Sequence, residues 1–158
     1  MNATDPLVRL LGVLEPSLLM YLSDSGIWSY PGDEAIKLAL ADVVGDQRNL
    51  IERAGVVLEE RDVSTPRVAY PLAFTAGHDL DLRYLLPRVI EGLRRQLPAL
   101  EQIAATATAD ATAAGLAREA LAATGRHIGI LEELQVRLRA GLSGRPAGTG
   151  APAGPAAS

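Results

Sequence analysis

The chain of 158 residues contains no cysteine, which excludes disulfide bonds, thiolate chemistry and zinc sites built on cysteine. Aromatic residues make up only 4% of the chain, whereas leucine and alanine are abundant, and this balance favours helices over sheets. No apolar run approaches the roughly 18 residues that a membrane-spanning helix needs. The chain also lacks a glycine-rich phosphate loop, a nucleophile elbow and an HExxH zinc motif. The sequence therefore predicts one helical domain without a familiar catalytic signature.

An excess of positive charge is missing as well. The formal net charge is −4 and the sequence pI is near 5.2, so neither nucleic acid nor an anionic membrane has an electrostatic reason to bind. The first residues have no basic start of the kind that opens a signal peptide. We therefore expect a cytoplasmic protein with no nucleic-acid partner and no membrane partner.

The most informative stretch of the sequence runs from Asp33 to Arg61, where apolar residues recur every three or four positions. Its stripe consists of Ile36, Leu40, Val43, Gln47, Leu50, Ala54 and Val57. At about 100° per residue these positions share one face, and most charges fall on the opposite one. The pattern predicts an amphipathic helix of about seven or eight turns, a length typical of helix bundles. Gln47 is the one polar residue at the centre of the stripe.

Three further amphipathic segments accompany this helix. The first is expected from about Pro6 to Leu22, capped by Thr4 or Asp5 and kinked or broken at Pro16. The third helix is expected to begin near Thr75 and to continue through Pro87 and Pro98 with one or two kinks, because its leucines keep helical spacing across both prolines. A break at Pro98 is the main alternative. The last is expected from about Ala111 to Leu142, with Asp110 or Thr112 as its cap.

Two other segments complete the predicted organisation. The stretch DVSTPRVAYPLAFTAG after the second helix contains Pro66 and Pro71 and can reach about 50 Å when extended, enough to return along the outside of a bundle. Residues 143–158 form a Gly/Ala/Pro tail that cannot bury a core, and we expect it to be disordered. Residues 1–142 are therefore expected to form the bundle, and residues 143–158 the tail.

The order of these segments resembles the ferritin-like four-helix bundle, in which a long crossover joins the second and third helices of an up-down bundle. The stretch GDQRNLIERAGVVLEERDVSTP is similar to the family's pattern of a Glu-x-x-His pair, three further turns of helix and an R-G-G-x-P-like exit. The resemblance covers roughly Pro6 to Leu142. It implies an all-α fold and pairing through helix faces, so a homo-oligomer is expected.

In that family, two helices each supply Glu-x-x-His and the other two supply one glutamate each, and together these residues hold two iron or manganese ions. Carried onto this chain, the second helix has Gln47-x-x-Leu50 and the fourth has Thr124-x-x-His127. On the first and third helices the inward positions hold Leu14, Leu18 and Val89. Most of the ligands that the resemblance implies are therefore replaced by packing residues.

A looser register would instead assemble Glu15, Asp46, Glu91 and His127 as a metal site for iron or manganese. Glu91 lies well over 90° around its helix from the apolar stripe, so this register would have to rotate the helix to bring Glu91 inward. A buried carboxylate without a metal costs several kcal/mol. The rotational phase of Glu91 therefore discriminates between the two registers.

Our leading hypothesis is a non-catalytic bundle that acts as a binding or self-assembly module, with no cofactor and possible protein partners. In this hypothesis Gln47, Thr124 and His127 remain as a small buried polar cluster, in which His127 bonds to Thr124 or Gln47. The alternative hypothesis is a metal-dependent oxidase or iron-binding protein that uses Glu15, Asp46, Glu91 and His127. A third possibility, a small-molecule pocket near Gln47 and His127, would require a void there.

Overall fold

The computed structural model describes residues 5–17, 34–65 and 82–143, and all regular secondary structure in these ranges is helical. The four helices are α1, Pro6–Leu14; α2, Glu34–Glu60; α3, Leu82–Thr106; and α4, Ala111–Ser143. The prediction of an all-α chain is confirmed for this part of the protein. None of the described helices is both long and apolar enough to cross a bilayer.

An aspartate cap and a proline fix the start of helix α1, and a second proline fixes its end. The Asp5 side chain accepts a hydrogen bond from the Leu7 N–H at 2.8 Å, and Pro6 occupies the first helical position, where no N–H is needed. The helix ends at Leu14, two residues before Pro16, whose ring would clash with a continuing turn. The expected extension to Leu22 lies outside the described residues.

Helix α3 runs through both of its prolines, as predicted. Pro87 and Pro98 are exposed and eleven residues apart, which is three turns, so they share the solvent side of the helix. The hydrogen bonds that they cannot make are therefore lost on the side where water can replace them. The expected start near Thr75 lies outside the described residues.

The end of α2 is a Schellman motif built around an aspartate. Asp62 has a φ of 57°, in the left-handed region that favours glycine. The Asp62 N–H donates to the Glu59 carbonyl at 3.0 Å, and the Val63 N–H donates to the Leu58 carbonyl at 2.9 Å. Leu58 and Val63 both belong to the apolar core at this end of the bundle, so the chain leaves α2 in a fixed direction.

An arginine joins three helix ends at that point. Arg61 donates to both carboxylate oxygens of Asp110, at 2.7 and 3.0 Å, and to Asp5 at 3.1 Å. Asp110 also caps α4 by accepting from the Ala113 N–H at 3.1 Å. The hydrogen bond from Arg61 lowers the pKa of Asp110, and the same contact raises the pKa of Arg61. We call this set of contacts the Arg61 clamp.

The Arg61 clamp also defines the directions of the helices. Helices α1 and α4 begin at the clamp, whereas α2 and α3 end there, so α2 and α3 run parallel to each other. Helix α1 packs against α2 and α3, α4 packs against the same two helices, and α1 and α4 also touch each other. Helix α2 ends, and α3 begins, at opposite ends of the bundle. The predicted extended return falls mainly on residues 66–81, outside the described residues.

The apolar interior consists of two clusters. We call the cluster next to the Arg61 clamp the clamp-end core; its buried members are Leu7, Leu10, Leu11, Leu14, Leu50, Ala54, Leu58, Leu100, Ile103, Ala107, Ala113, Ala114, Leu116, Ala117 and Ala120. We call the other the far-end core; its buried members are Ile36, Leu40, Val43, Val44, Leu85, Leu86, Val89, Ile90, Leu93, Ile128 and Leu131. The tail was expected over residues 143–158, but Ser143 is the last residue of α4. Residues 144–158 lie outside the described residues.

Candidate functional site

Four buried polar side chains lie at the level where the two cores meet. Gln47, Gln96, Thr124 and His127 are only 4%, 7%, 3% and 7% exposed, respectively. They come from α2, α3 and α4, the three long helices. We call these four residues the polar layer, and it is the candidate site because buried polar groups in a bundle require specific partners.

Two glutamine amides connect three helices within this layer. The Gln47 Nε2 donates to the Gln96 Oε1 at 3.2 Å, and the Ser17 hydroxyl donates to the Gln47 Oε1 at 3.3 Å. The Gln96 Nε2 in turn donates to the Val13 carbonyl at 3.3 Å. The Val13 carbonyl lies in the last turn of α1, where a helix leaves its carbonyl groups without an internal partner. Gln96 therefore satisfies the C-terminal end of α1 from a neighbouring helix.

His127 has a different partner from the one the sequence suggested. Its Nε2 lies 2.6 Å from the Asp46 Oδ2, and Arg126 approaches the same oxygen at 3.8 Å. The His127 side chain is 8% exposed and the Asp46 side chain is 47% exposed. We expected a bond from His127 to Thr124 or Gln47, and that expectation is corrected to Asp46. The reason is rotational: Asp46 lies 100° from Gln47 around α2, which turns it toward α4 while Gln47 faces the bundle centre.

The expected polar cluster of Gln47, Thr124 and His127 is therefore divided. All three side chains are buried, but in the described part of the chain no hydrogen bond joins any of them to another. Gln47 belongs to the amide chain with Gln96, and His127 belongs to the pair with Asp46. Among the described residues no buried side-chain nitrogen or oxygen lacks a partner.

The four residues of the looser metal register are only partly brought together. Asp46 and His127 are in contact, but Glu91 is 63% exposed and bonds to Arg95 at 2.6 Å. That hydrogen bond lowers the pKa of Glu91. Glu15 is half-buried just after α1, and burial raises the pKa of its carboxyl group. Glu91 thus lies on the solvent face of α3, as its position opposite the apolar stripe predicts.

Within the part of the chain that the structure describes, the four residues of the looser metal register are not arranged to hold a pair of metal ions. Within residues 5–17, 34–65 and 82–143, no three His, Asp or Glu side chains lie together in a way that could hold a metal ion. The central positions of α2 and α3 hold amides, and their donor and acceptor atoms already bond to each other. We therefore derive no chemical step through iron or manganese.

Gln96 and Ser17 are the two residues of the site that the sequence reasoning missed. Gln96 was hidden because the neighbouring Leu97 also keeps the leucine spacing of α3, although Leu97 is only partly buried. A signal was present: Gln96 lies three residues after Leu93 and four before Leu100, both of which are buried. Ser17 lies within the segment that was expected to form the first helix, but it follows Pro16 and lies beyond the end of α1.

Comparison with protein-family models, with curated proteins and with solved structures gave no match for this chain.

Proposed function

We propose that this chain is a non-catalytic helical bundle of the ferritin-like type that serves as a self-assembly or protein-binding module without a resident metal. The resemblance in the order of segments is supported by the helix neighbours, because α2 and α3 run parallel on opposite corners and each lies beside α1 and α4. This is the arrangement that a long crossover between the second and third helices requires.

The observation that carries the proposal is the bond between Gln47 and Gln96. At the level of Gln47, where the resemblance implies a carboxylate ligand on α2, a neutral amide donates instead to the Gln96 amide of α3 at 3.2 Å. These amides carry no negative charge to attract a cation, and the bond between them fixes how two helices face each other. This layer is therefore suited to specifying a unique helix register, which a module that presents its surfaces to a partner requires.

The test is metal loading combined with a mass measurement. Purified protein is incubated anaerobically with Fe(II) or Mn(II), desalted and assayed for metal, with Asp46→Asn and His127→Ala as controls whose folding is checked by circular dichroism. We expect metal far below one equivalent in all three proteins. About two metals per wild-type chain, lost in either folded variant, would overturn the proposal in favour of the oxidase or iron-binding alternative.

Light scattering supplies the second half of the test. One chain has a mass of 16.6 kDa, so assembly into a dimer would double the measured mass. We expect the doubled mass to appear as the protein concentration rises, because association follows mass action.

A further inference from the structure

The outward side of α4 carries few charges near its middle. Between Ala122 and Ile130 its exposed residues are Ala122, Gly125, Arg126, Gly129 and Ile130, with one charge among the five. A matched stretch of α3 exposes Glu91, Arg94, Arg95, Pro98 and Glu101, with four charges among the five. Depletion of charge around exposed branched side chains is typical of a surface that packs against another protein. We call the exposed residues Glu119, Ala122, Gly125, Arg126, Gly129, Ile130, Glu133, Val136 and Arg137 the α4 face.

Four charges flank the α4 face, and all four lie on the same side of it. Glu119 and Arg126 come before Gly129 in the chain, and Glu133 and Arg137 come after it. Arg126 and Glu133 are seven residues apart, which is two turns of helix. Glu119 and Arg137 are 18 residues apart, which is five turns. Each of these two spacings returns to nearly the same direction around the helix axis.

A two-fold axis at Gly129 brings these charges together in pairs of opposite sign. Arg126 lies three residues before Gly129 and Glu133 four residues after it, or about 5 and 6 Å along the helix. Glu119 and Arg137 lie ten and eight residues away. In two antiparallel copies of α4, Arg126 of each copy is therefore level with Glu133 of the other, and Glu119 is level with Arg137. A parallel pair would place each charge beside its own equivalent, so the order of the charges selects the antiparallel arrangement.

The same axis matches the apolar residues of the α4 face. Ala122 and Val136 lie seven residues before and after Gly129, so the larger side chain of each copy faces the smaller one of the other. Among the described residues, no atom beyond the local helix backbone lies within 4 Å of the position that a Cβ would take at Gly125 or Gly129. Glycine inside a helix is destabilising relative to alanine, and packing within the chain does not require it here. Bare backbone at the axis allows two helices to approach closely.

The contacts that these charges make within the chain leave them free to bond across an interface. The Arg126 guanidinium lies 3.8 Å from the Asp46 carboxylate, beyond hydrogen-bond distance. Glu133 and Arg137 bond to each other along α4, and their side chains are 67% and 70% exposed. Glu119 is 55% exposed although it bonds to α2. Exposed pairs of this kind contribute little to stability, so their side chains rearrange at low cost.

From these observations we infer that the α4 face is a self-association surface, on which α4 of a second copy packs antiparallel about a two-fold axis at Gly129. The inference rests on the proposed function and names the partner and the surface of that module. Because both copies use the same patch, each pair of opposite charges occurs twice in the dimer.

Charge reversal on the α4 face tests this pairing. In Arg126→Glu the new carboxylate faces Glu133 of the other copy, and in Glu133→Arg two arginines face each other. We expect each variant to raise the dissociation constant of the dimer at least tenfold by sedimentation equilibrium, with folding checked by circular dichroism. A mixture of the two variants restores both pairs of opposite charge, so we expect 1:1 heterodimers by native mass spectrometry, at least fivefold more abundant than either homodimer. A mixture without this excess would overturn the inference.

The matched control is Arg95→Glu on the outward side of α3. The Arg95 side chain is 73% exposed and that of Arg126 is 64% exposed, and the two substitutions change the net charge equally. Arg95→Glu should leave the dissociation constant of the dimer within twofold of the wild-type value. An equal loss in this control would mean that net charge governs association, which would overturn the inference.

A glycine substitution gives a second readout that reverses no charge. Gly129→Leu adds a side chain where the described residues leave open space, so the single chain tolerates it, but the side chain blocks close approach at the axis. We expect the dissociation constant of the dimer to rise at least tenfold. Gly45→Leu is the control, because Gly45 is exposed on α2 and also has no close neighbour; it should have no effect. A Gly129→Leu chain that dimerises as tightly as the wild type would overturn the inference.

The outcomes separate the inference from the proposed function. A wild-type dimer that persists unchanged in Arg126→Glu and in Gly129→Leu would mean that assembly uses another surface, which overturns the inference and leaves the proposed function standing. Metal uptake lost in a folded Asp46→Asn variant would overturn the proposed function whether or not the dimer forms.

Discussion

The two cores of this bundle are packed with side chains of different size. Six of the buried residues in the clamp-end core are alanines, and all four described helices contribute to it. The far-end core has no alanine among its buried members and is filled by leucine, isoleucine and valine from α2, α3 and α4. Small side chains let helices approach closely but bury little surface per residue, whereas branched side chains bury more and tolerate less change.

The polar contacts near the clamp-end core also differ from those near the far-end core. The clamp-end core is bordered by the Arg61 clamp and by two aspartate caps, all of which depend on exact geometry. Ion pairs within single helices, such as those of Glu34 with Lys37 and Glu133 with Arg137, lie at the opposite end, and Glu34, Glu133 and Arg137 are exposed. Such pairs contribute little to stability. The clamp end therefore depends on specific polar contacts, and the far end depends on buried volume.

The largest expected effect comes from removing volume at the far end. Leu40 is fully buried there, so Leu40→Ala should lower the free energy of unfolding by about 3 kcal/mol through lost burial and the cavity that remains. Leu38, two residues away and 67% exposed, is the matched control; Leu38→Ala should change the same quantity by less than about 0.5 kcal/mol. Urea denaturation measures both values. Similar losses in the two variants would contradict the assignment of the far-end core.

The next largest effect concerns the boundary between the cores. Gln47→Leu removes the N–H that donates to the Gln96 Oε1, and the loss should cost about 1–3 kcal/mol of unfolding free energy. The double variant Gln47→Leu with Gln96→Leu should cost clearly less than the sum of the two single variants, because neither side chain then has an orphaned group. A double-mutant cycle in urea measures this coupling. Strict additivity would argue against the amide bond.

A smaller change should stabilise the clamp end. Asp62→Gly removes a side chain from a backbone with a φ of 57° and should raise the free energy of unfolding by about 0.5–1 kcal/mol. Asp62→Asn is the matched control, since asparagine tolerates this conformation and lacks the charge that opposes the negative end of α2. We expect the Tm of Asp62→Asn, measured by thermal unfolding, to lie between the Tm of the wild type and that of Asp62→Gly. A destabilising Gly would contradict the left-handed conformation.

The smallest effect depends on pH. Burial raises the pKa of Glu15 above its value in the unfolded chain, so the folded chain holds that proton more tightly. The associated stability is fully present below the unfolded pKa, near about 4.3, and is lost as pH rises through the folded pKa. Glu15→Gln should therefore raise the Tm slightly at pH 7, and the gain should disappear near pH 4. The exposed residue Glu52 supplies the control, because Glu52→Gln should show no comparable dependence on pH.

Periodicity was enough to predict much of this architecture. The stripe from Ile36 to Val57 predicted α2 to within one residue at each end, and unbroken leucine spacing predicted that α3 would pass through Pro87 and Pro98. Both facts depend on a repeat of 3.6 residues that is visible within a single helix. The phase of Glu91 followed from the same repeat.

The polar contacts could not be predicted in that way, because they depend on how helices face one another. The bonds from Gln96 to Val13 and from Asp46 to His127 join residues 83 and 81 positions apart. Gln96 and Leu97 differ by only 100° on α3, and the sequence alone could not decide which of them faces the centre. The position of α1 relative to the other helices had to be known first.

The groove in which α1 packs is built from α2, α3 and α4, and this has a consequence for how the chain folds. Helices α3 and α4 are joined by a short turn, so their contacts are local and can form early. The groove additionally requires α2, whose contacts with α4, such as that of Arg53 with Glu119, close a loop of 66 residues. Docking of Leu7, Leu10 and Leu14 needs all three helices in place. We therefore expect α1 to be the last of the four described helices to become protected from hydrogen exchange during refolding, although it precedes the other three in the chain.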